Sequence, residues 1–278
     1  MTEVYRQSQD DRGPTLVNKT SGGQFERAVR AANRAPESFW IGRYVEYEWS
    51  SSRHLLTAYA GDLRGKRVLE FGCNYGATAI VLSHLGAQVD AVDVDPKTVE
   101  LAVLNARRYG ISNIVFQPIQ ASGALPFADQ SFDIITCNSV LEYVDPKLLA
   151  DRLRDFDRLL RPGGLLLVLG TSNRLAPREV HSGRLFFNYL PAWTDRIFGW
   201  RPSLPRGVYP WTIARQFPGY RDLVRADRGA QFLEAKRRSG MGTTKLTFLR
   251  GIRAFGAIVG KPVGFFLPSI FLALQKPD

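Results

Sequence analysis

The stretch VLEFGCNYGATAI, Val68 to Ile80, ends an apolar run on an acid, Glu70, followed by Gly72, Gly76 and a helical spacing of apolar residues. A glycine turn after a strand brings a ligand close to backbone, and two chemistries use it. Dinucleotide sites read G-x-G-x-x-G, because the second glycine lets the chain approach a pyrophosphate held at the N-terminus of the next helix. Here Asn74 and Ala77 stand where the second and third glycines would be, so the fit to a pyrophosphate is poor. The pattern that remains is E-x-G-x-x-x-G. A carboxylate at the strand end repels a pyrophosphate and suits a ligand that carries an ammonium and a sulfonium. Cys73 and Cys137 both sit inside apolar runs and are not spaced as a metal pair. They read as small core hydrophobes in a reducing cytosol, with no metal and no disulfide framework expected.

The elements that must position this loop follow from periodicity. From residue 67 to 170 short β-branched or Leu-rich runs alternate with amphipathic stretches, the pattern of a parallel sheet covered by helices. Strands are predicted over 67–71, 88–93, 113–117, 132–138 and 165–170. Helices are predicted over 77–84, 96–109 and 147–160, with Pro96 placed at a helix start and the Arg-Pro-Gly-Gly of 161–164 supplying a turn. Residues 25–60 read as helical and carry an aromatic cluster, Phe39, Trp40, Tyr44, Tyr47 and Trp49, which either packs on the sheet or forms a lid. Residues 175–238 are rich in proline and aromatics, with Trp193, Trp200 and Trp211 among them, and read as an irregular cap. The polar N-terminus has no apolar core of the kind a signal peptide needs, and residues 1 to about 24 read as a loose arm.

S-adenosylmethionine is a ligand with the charges that Glu70 favours, and at this point the sequence resembles the class I S-adenosylmethionine-dependent methyltransferases, in particular those with a type 11 methyltransferase domain. The resemblance covers about residues 60–172. Besides the glycine loop it rests on AVDVDP, on ALPFADQSFDIITCNSVLEYV (residues 124–144) and on RLLRPGGLLLV (residues 158–168), in the family's order. It implies an α/β, Rossmann-like fold with a seven-stranded, mostly parallel sheet and helices on both faces. To this the chain adds an N-terminal helical lid and a basic, aromatic C-terminal cap. The implied divisions are an arm at 1–24, a lid at 25–60, the cofactor-binding core at 61–172 and the cap at 173–278. The resemblance further implies that Glu70, Gly72, Cys73, Asn74 and Gly76 surround the methionine end of the cofactor. Asp93, 21 positions after Gly72, would pair with the ribose hydroxyls, and Val94 would lie along the adenine. Asp95 is the neighbouring candidate and is expected instead to cap the helix that Pro96 opens. Asn138 and Ser139 would reach the methionine and methyl end. The family commonly places an acid before Leu-Pro-Phe, whereas this chain has Gln120-Ala121-Ser122-Gly123-Ala124, which leaves adenine recognition to the Gln120 amide or to backbone at Gln120 and Ala121. The family's histidine in V-L-E-H-V is Tyr143 here.

Methyl transfer is an in-line displacement, so alignment supplies much of the catalysis and a base is needed only when the acceptor must lose a proton. The chain has three histidines. His84 lies in the first core helix and reads as structural, and His54 lies in the helix before the first strand. His181 follows the fifth strand, on the side where ligands enter open α/β sheets. It is the leading candidate for acid/base work, with Glu142 and Tyr143 as alternatives.

Charge divides the chain. Met1 to Arg174 holds 20 Lys and Arg against 20 Asp and Glu, while Leu175 to Asp278 holds 17 against 6, so the formal net charge of +11 belongs to the last part. A basic, aromatic appendage implies an anionic surface nearby, whether headgroup, nucleic acid or acidic substrate. The final run, KLTFLRGIRAFGAIVGKPVGFFLPSIFLALQK, is interrupted by Arg250, Arg253, Lys261, Pro262 and Pro268 into pieces too short to span a bilayer. They could lie in a membrane interface with Phe248, Phe255, Phe265, Phe266 and Phe271 immersed, supply antiparallel edge strands and a core helix, or form a partner surface. Base amino-group methyltransferases usually follow the fourth strand with Pro-Pro and an aromatic, and Asn138-Ser139-Val140-Leu141 has no such motif. That argues against nucleic acid and for a small-molecule, lipid or lipid-linked glycan acceptor. A cytoplasmic O-methyltransferase, peripheral on the inner face of the membrane, is the expectation. The alternatives are an RNA methyltransferase and a cofactor-binding scaffold without catalysis.

Overall fold

The computed structural model describes residues 12–17, 19–191, 193–199 and 205–278. Half of the expected N-terminal arm (residues 1–11 and 18), and Trp200, lie outside these residues. In chain order the elements are α1 (Lys19–Ala31), α2 (Phe39–Gly42), α3 (Tyr44–Ala60), β1 (Arg67–Phe71), α4 (Ala77–His84), β2 (Gln88–Asp93), α5 (Pro96–Arg108), β3 (Ile114–Pro118), β4 (Phe132–Asn138), α6 (Pro146–Leu159) and β5 (Leu160–Ser172). The cap then carries α7 (Thr194–Ile197), α8 (Pro210–Ala214), β6 (Arg221–Asp222), α9 (Leu223–Ala226), α10 (Ala230–Arg238), α11 (Thr243–Ile258) and β7 (Ser269–Gln275).

The expected seven-stranded, mostly parallel sheet is present, in the order β3-β2-β1-β4-β5-β7-β6. β1 lies parallel to both β2 and β4, with Glu70 level with Ala91 on one side and Thr136 on the other. β7 runs antiparallel to β5 and to the two-residue β6. The central strands are buried along nearly their whole length, as strands covered on both faces must be, which is why they read as continuous apolar runs. Strand order reverses between β1 and β4, and that switch point opens a crevice at the carboxyl ends of the strands.

Three differences from the expected elements have physical reasons. α1 overlaps the expected arm: its glycines lower helix propensity, but Phe25 and Val29, one turn apart, are buried in a cluster with Ile41 and Leu101. β5 begins at Leu160 rather than 165. Its pairing with β4 passes through an irregularity between Phe132 and Ile134 that absorbs the proline-glycine turn. The KLTFLR segment is helical: Leu246, Leu249 and Gly256 are buried at three- to seven-residue intervals in α11, and the antiparallel strand comes later, in β7.

That last difference sorts the five phenylalanines expected in a membrane interface. Phe265 and Phe271 are core residues and Phe266 packs against the core. Phe248 and Phe255 on α11 are exposed.

Candidate active site

Glu70 stands on β1 with its side chain turned into the core, only 1% exposed, where the Thr136 hydroxyl of β4 donates to it. Burial pushes its carboxyl well above the ordinary range, against the opposing pull of the hydroxyls of Thr136 and Thr78. Next in the chain, Gly72 has φ +75°, and a Cβ there would stand 2.1 Å from Val140 Cγ2. Only glycine satisfies both constraints. Asn74 also has positive φ, a conformation asparagine tolerates better than most residues. The loop is tied to β2: the amides of Gly72 and Cys73 donate to the Val92 carbonyl, and the Asn74 amide donates to Asp93 Oδ2 at 2.9 Å. Asp95 caps α5 by accepting from the Lys97 amide and the Thr98 hydroxyl, which leaves Asp93 as the acid turned to the crevice.

A cavity of about 720 Å³ fills that crevice. Of the residues expected around a cofactor, Glu70, Gly72, Cys73, Asn74, Asp93, Val94, Ala121, Asn138 and Ser139 line it. Two do not. Gly76 lies buried behind the loop at the start of α4, with φ +78° and no room for a Cβ against Phe116, so its part is the turn. Gln120 points to solvent, because the extended chain after β3 turns Ile119 inward and its successor outward; only its carbonyl is used, by Arg152.

Several lining residues lay outside the sequence-based set. Arg152 of α6 is buried beside Asp155, donates to the carbonyls of Gln120 and Ala121, and closes the end where an adenine acid is missing. Trp40 of α2 and Tyr44 of α3 wall the opposite end. Behind Tyr44, Glu48 is 1% exposed, and Asn138 Nδ2 donates to its Oε2 at 2.9 Å and to Thr78 Oγ1 at 3.0 Å. Burial raises the Glu48 carboxyl as well. The signal for Glu48 was periodic: Val45, Glu48, Ser52, Leu55 and Tyr59 form the buried stripe of α3, and an acid on such a stripe is a site candidate.

His181 lies on the cap segment after β5 and lines this cavity, its side chain 25% exposed. Its Nε2 is 3.0 Å from Glu142 Oε1. Glu142 does not line the cavity; its carboxyl is fully buried, accepts from the Ser172 amide at 3.0 Å, and leaves Oε2 without a partner among the described residues. Any influence on a molecule in the cavity would have to pass through His181. The hydrogen bond to Glu142 holds the imidazole above its ordinary value, outweighing burial. Glu179 fixes the backbone of the turn by accepting from the amides of His181 and Ser182; burial alone would raise its carboxyl, but these bonds hold it low. Tyr143 lines the cavity with its ring 5.6 Å from that of His181. Burial and the neighbouring Glu142 and Glu179 push its phenol up to about 12, so it stays protonated at neutral pH and is a poor proton acceptor. His84 and His54 line neither this cavity nor the next. His84 bonds the Arg12 carbonyl and packs edge-on to Trp49.

A second cavity, of about 500 Å³, adjoins the first and shares Trp40, Tyr44, Asn138, Ser139 and His181 with it. Its remaining walls come from α3, α10, α11, the ends of β5 and β7, and connecting residues such as Val180 and Pro268. Among the described residues no group of histidine, cysteine and acidic side chains is arranged to hold a metal.

Comparison with known proteins agrees with this architecture. Residues 69–168 match the family described as "Methyltransferase domain". A ubiquinone biosynthesis O-methyltransferase from Methylocella silvestris is 32% identical over 164 residues, which are 59% of this chain and 57% of that protein. The match thus spans less than two thirds of that relative's length. A protein of the same description from Paracidovorax citrulli is 28% identical over 200 residues, 69% of this chain and 78% of that one. Among solved structures, the [4+2]-cyclase SpnF superimposes over 96% of this chain and 99% of its own with a TM-score of 0.50 at 18% identity, a likeness of fold alone.

Proposed function

We propose, from a chain whose residues 69–168 form a class I S-adenosylmethionine-dependent methyltransferase domain, that it methylates a hydroxyl oxygen of a small amphiphilic acceptor at a membrane surface. S-adenosylmethionine, when bound, supplies a methyl group on a positively charged sulfur. The residues present suit it. Gly72 keeps the backbone open where a Cβ would collide, Asp93 offers a carboxylate at the end of β2 for the ribose hydroxyls, and Glu70 and Glu48 put buried acids at the end meant for a cation.

The observation that carries the reading is the His181 and Glu142 pair at the junction of the two cavities. A carboxylate at Nε2 selects the tautomer with the proton on Nε2, which leaves Nδ1 to take the proton of an acceptor hydroxyl. Glu142 then faces the imidazolium that forms. Asn138, held by Glu48 and Thr78, fixes the wall that the two ligands would share, and Trp40 and Tyr44 line the same space. Alignment and one proton transfer suffice for transfer to oxygen.

The membrane part of the proposal rests on exposed apolar side chains next to cations. Phe248 and Ile258 on α11 are 70% and 84% exposed, beside Lys245, Arg250, Arg253 and Lys261. Leu185, Phe186, Trp193 and Ile197 are further exposed apolar side chains of the cap. Among the described residues no helix is long and apolar enough to cross a membrane. Exposed apolar side chains beside cations fit a protein lying on an anionic leaflet, as at the cytoplasmic face. The test is to incubate fractionated cell extract with the purified chain and methyl-labelled S-adenosylmethionine. Label entering the organic phase, in a product stable to base-treatment conditions that cleave methyl esters, supports an ether-forming lipid methyltransferase. Label in nucleic acid, or cofactor binding with no transfer to any fraction, overturns it.

A further inference from the structure

The second cavity has apolar walls and an ionic inner end. Phe232, Leu249, Ile252 and Phe271 line it, and Phe248 stands exposed at its rim. Two oppositely charged side chains reach its interior, Glu48 from α3 and Lys236 from α10. They are not equally engaged. Glu48 accepts from Asn138, and the Ser52 and Tyr44 hydroxyls lie close enough to favour its charged form. The Lys236 ammonium has no hydrogen-bonding partner among the described residues; its Nζ lies 5.6 Å from the Phe232 ring centroid and feels Glu48 only through space. Burial pulls it below the usual lysine range, with Glu48 opposing. Lys236 is half-buried, and an anion placed beside an ammonium that meets no protein acceptor among the described residues offsets the cost of its partial burial.

The position gives this cation a task. The cavity shares Asn138, Ser139 and His181 with the cofactor-side cavity, so a molecule that fills it presents its inner end where the methyl group would be delivered. Its tail would run along Leu249 and Ile252 toward the exposed face of α11. The surplus of basic residues in the cap favours the approach of a negatively charged molecule.

We propose that Lys236 binds an anionic oxygen of the methyl acceptor, so that the acceptor is an acidic amphiphile, a hydroxylated carboxylate or phosphate ester with an apolar tail, rather than a neutral lipid. The inference rests on the methyltransferase reading, and its test separates the two. Full-length protein saturated with S-adenosylhomocysteine is titrated calorimetrically with decanoate, decyl phosphate and decanol. At least one anionic probe binds ten or more times more tightly than decanol to the unaltered chain, and which one does so tells carboxylate from phosphate. Lys236→Met, which keeps the length and removes the charge, loses the preference, and Lys236→Arg keeps most of it. S-adenosylhomocysteine binds all three proteins alike, which shows that the fold is intact. Equal binding of the neutral and anionic probes, a preference that survives Lys236→Met, or no binding of any probe overturns the inference while leaving the cofactor reading in place. Failure of S-adenosylhomocysteine to bind the unaltered chain overturns the methyltransferase reading itself.

Discussion

The two cavities meet at Asn138, Ser139 and His181 and are assembled in opposite ways. The cofactor side is made from the ends of β1, β2 and β4 and the turns that follow them, within a part of the chain that is electrically neutral. The acceptor side is made from helices before and after the sheet, α3, α10 and α11, and from a cap that holds the whole net charge. Backbone geometry defines the first: Gly72, Asn74 and Ser139 all have positive φ at the cavity. Side chains on helix faces define the second. The sheet thus fixes one ligand through rigid strand ends, while the appended helices can vary the other without disturbing it.

Breaking the rigid side should have the largest effect. Gly72→Val adds a side chain where Val140 already stands and forces a positive φ on a β-branched residue. Overpacking and the backbone penalty together amount to about 2–5 kcal/mol. We expect no measurable binding of S-adenosylhomocysteine by calorimetry, together with a lowered Tm. Full affinity in this variant would mean that the loop does not touch the cofactor.

His181 lies on the boundary, and its replacement should separate binding from turnover. His181→Ala should reduce methyl transfer to a hydroxyl acceptor by about 10²–10⁴-fold, the range for a positioned base, while cofactor affinity stays within about twofold of the unaltered chain, as expected of a side chain that borders the cavity without being part of the glycine loop. An equal loss of both would indicate a folding defect. The pH dependence has a fixed sign. Glu142 raises the imidazole, and only the neutral imidazole accepts a proton, so kcat should climb with pH through a value above that of an ordinary histidine. Glu142→Gln should move that limb to lower pH and lower its plateau by about tenfold or more, through loss of the imidazolium partner. An unmoved limb would separate His181 from the proton transfer.

The difference between the two sides also explains what the sequence could reveal. Strand ends are local features: an apolar run of four or five residues followed by a glycine turn or an acid specifies its own position, and β1, β2 and β4 fall on the residues expected. Asp93 and Asp95 could be told apart by the helix start, since Asp95 directly precedes Pro96 and caps α5 while Asp93 ends β2 at the crevice. The acceptor side has no such local signature. Glu48 shows only as an acid on the apolar stripe of α3 and Lys236 as an ordinary charge on an amphipathic helix; the packing of α10 on α3 brings the two into one cavity. Arg152 was missed for the same reason, as a helical arginine with an aspartate three residues on, which reads as a surface pair but is buried. The C-terminal run was ambiguous because β7 is apolar on both faces and follows an amphipathic helix that is nearly as apolar.

The smallest expected effect falls on the outer face of the variable side. Ile258 is almost fully exposed at the end of α11 and lines neither cavity, so Ile258→Glu should leave Tm and S-adenosylhomocysteine affinity unchanged. If α11 lies in a membrane interface, the change removes an immersed side chain worth about 1.5 kcal/mol and adds a charge of the same sign as the lipid, which together should weaken binding to phosphatidylglycerol vesicles by about tenfold. Raising the salt should weaken the unaltered chain as well, because its lysines and arginines contribute by attraction across a screened distance. Vesicle binding insensitive to both would move the contact to the other exposed apolar side chains of the cap, such as Trp193 and Ile197, and Trp193→Glu would then reproduce the loss. If neither substitution lowers vesicle binding, the cap is not a membrane surface, and its charge serves the acceptor through Lys236 and Lys245 alone.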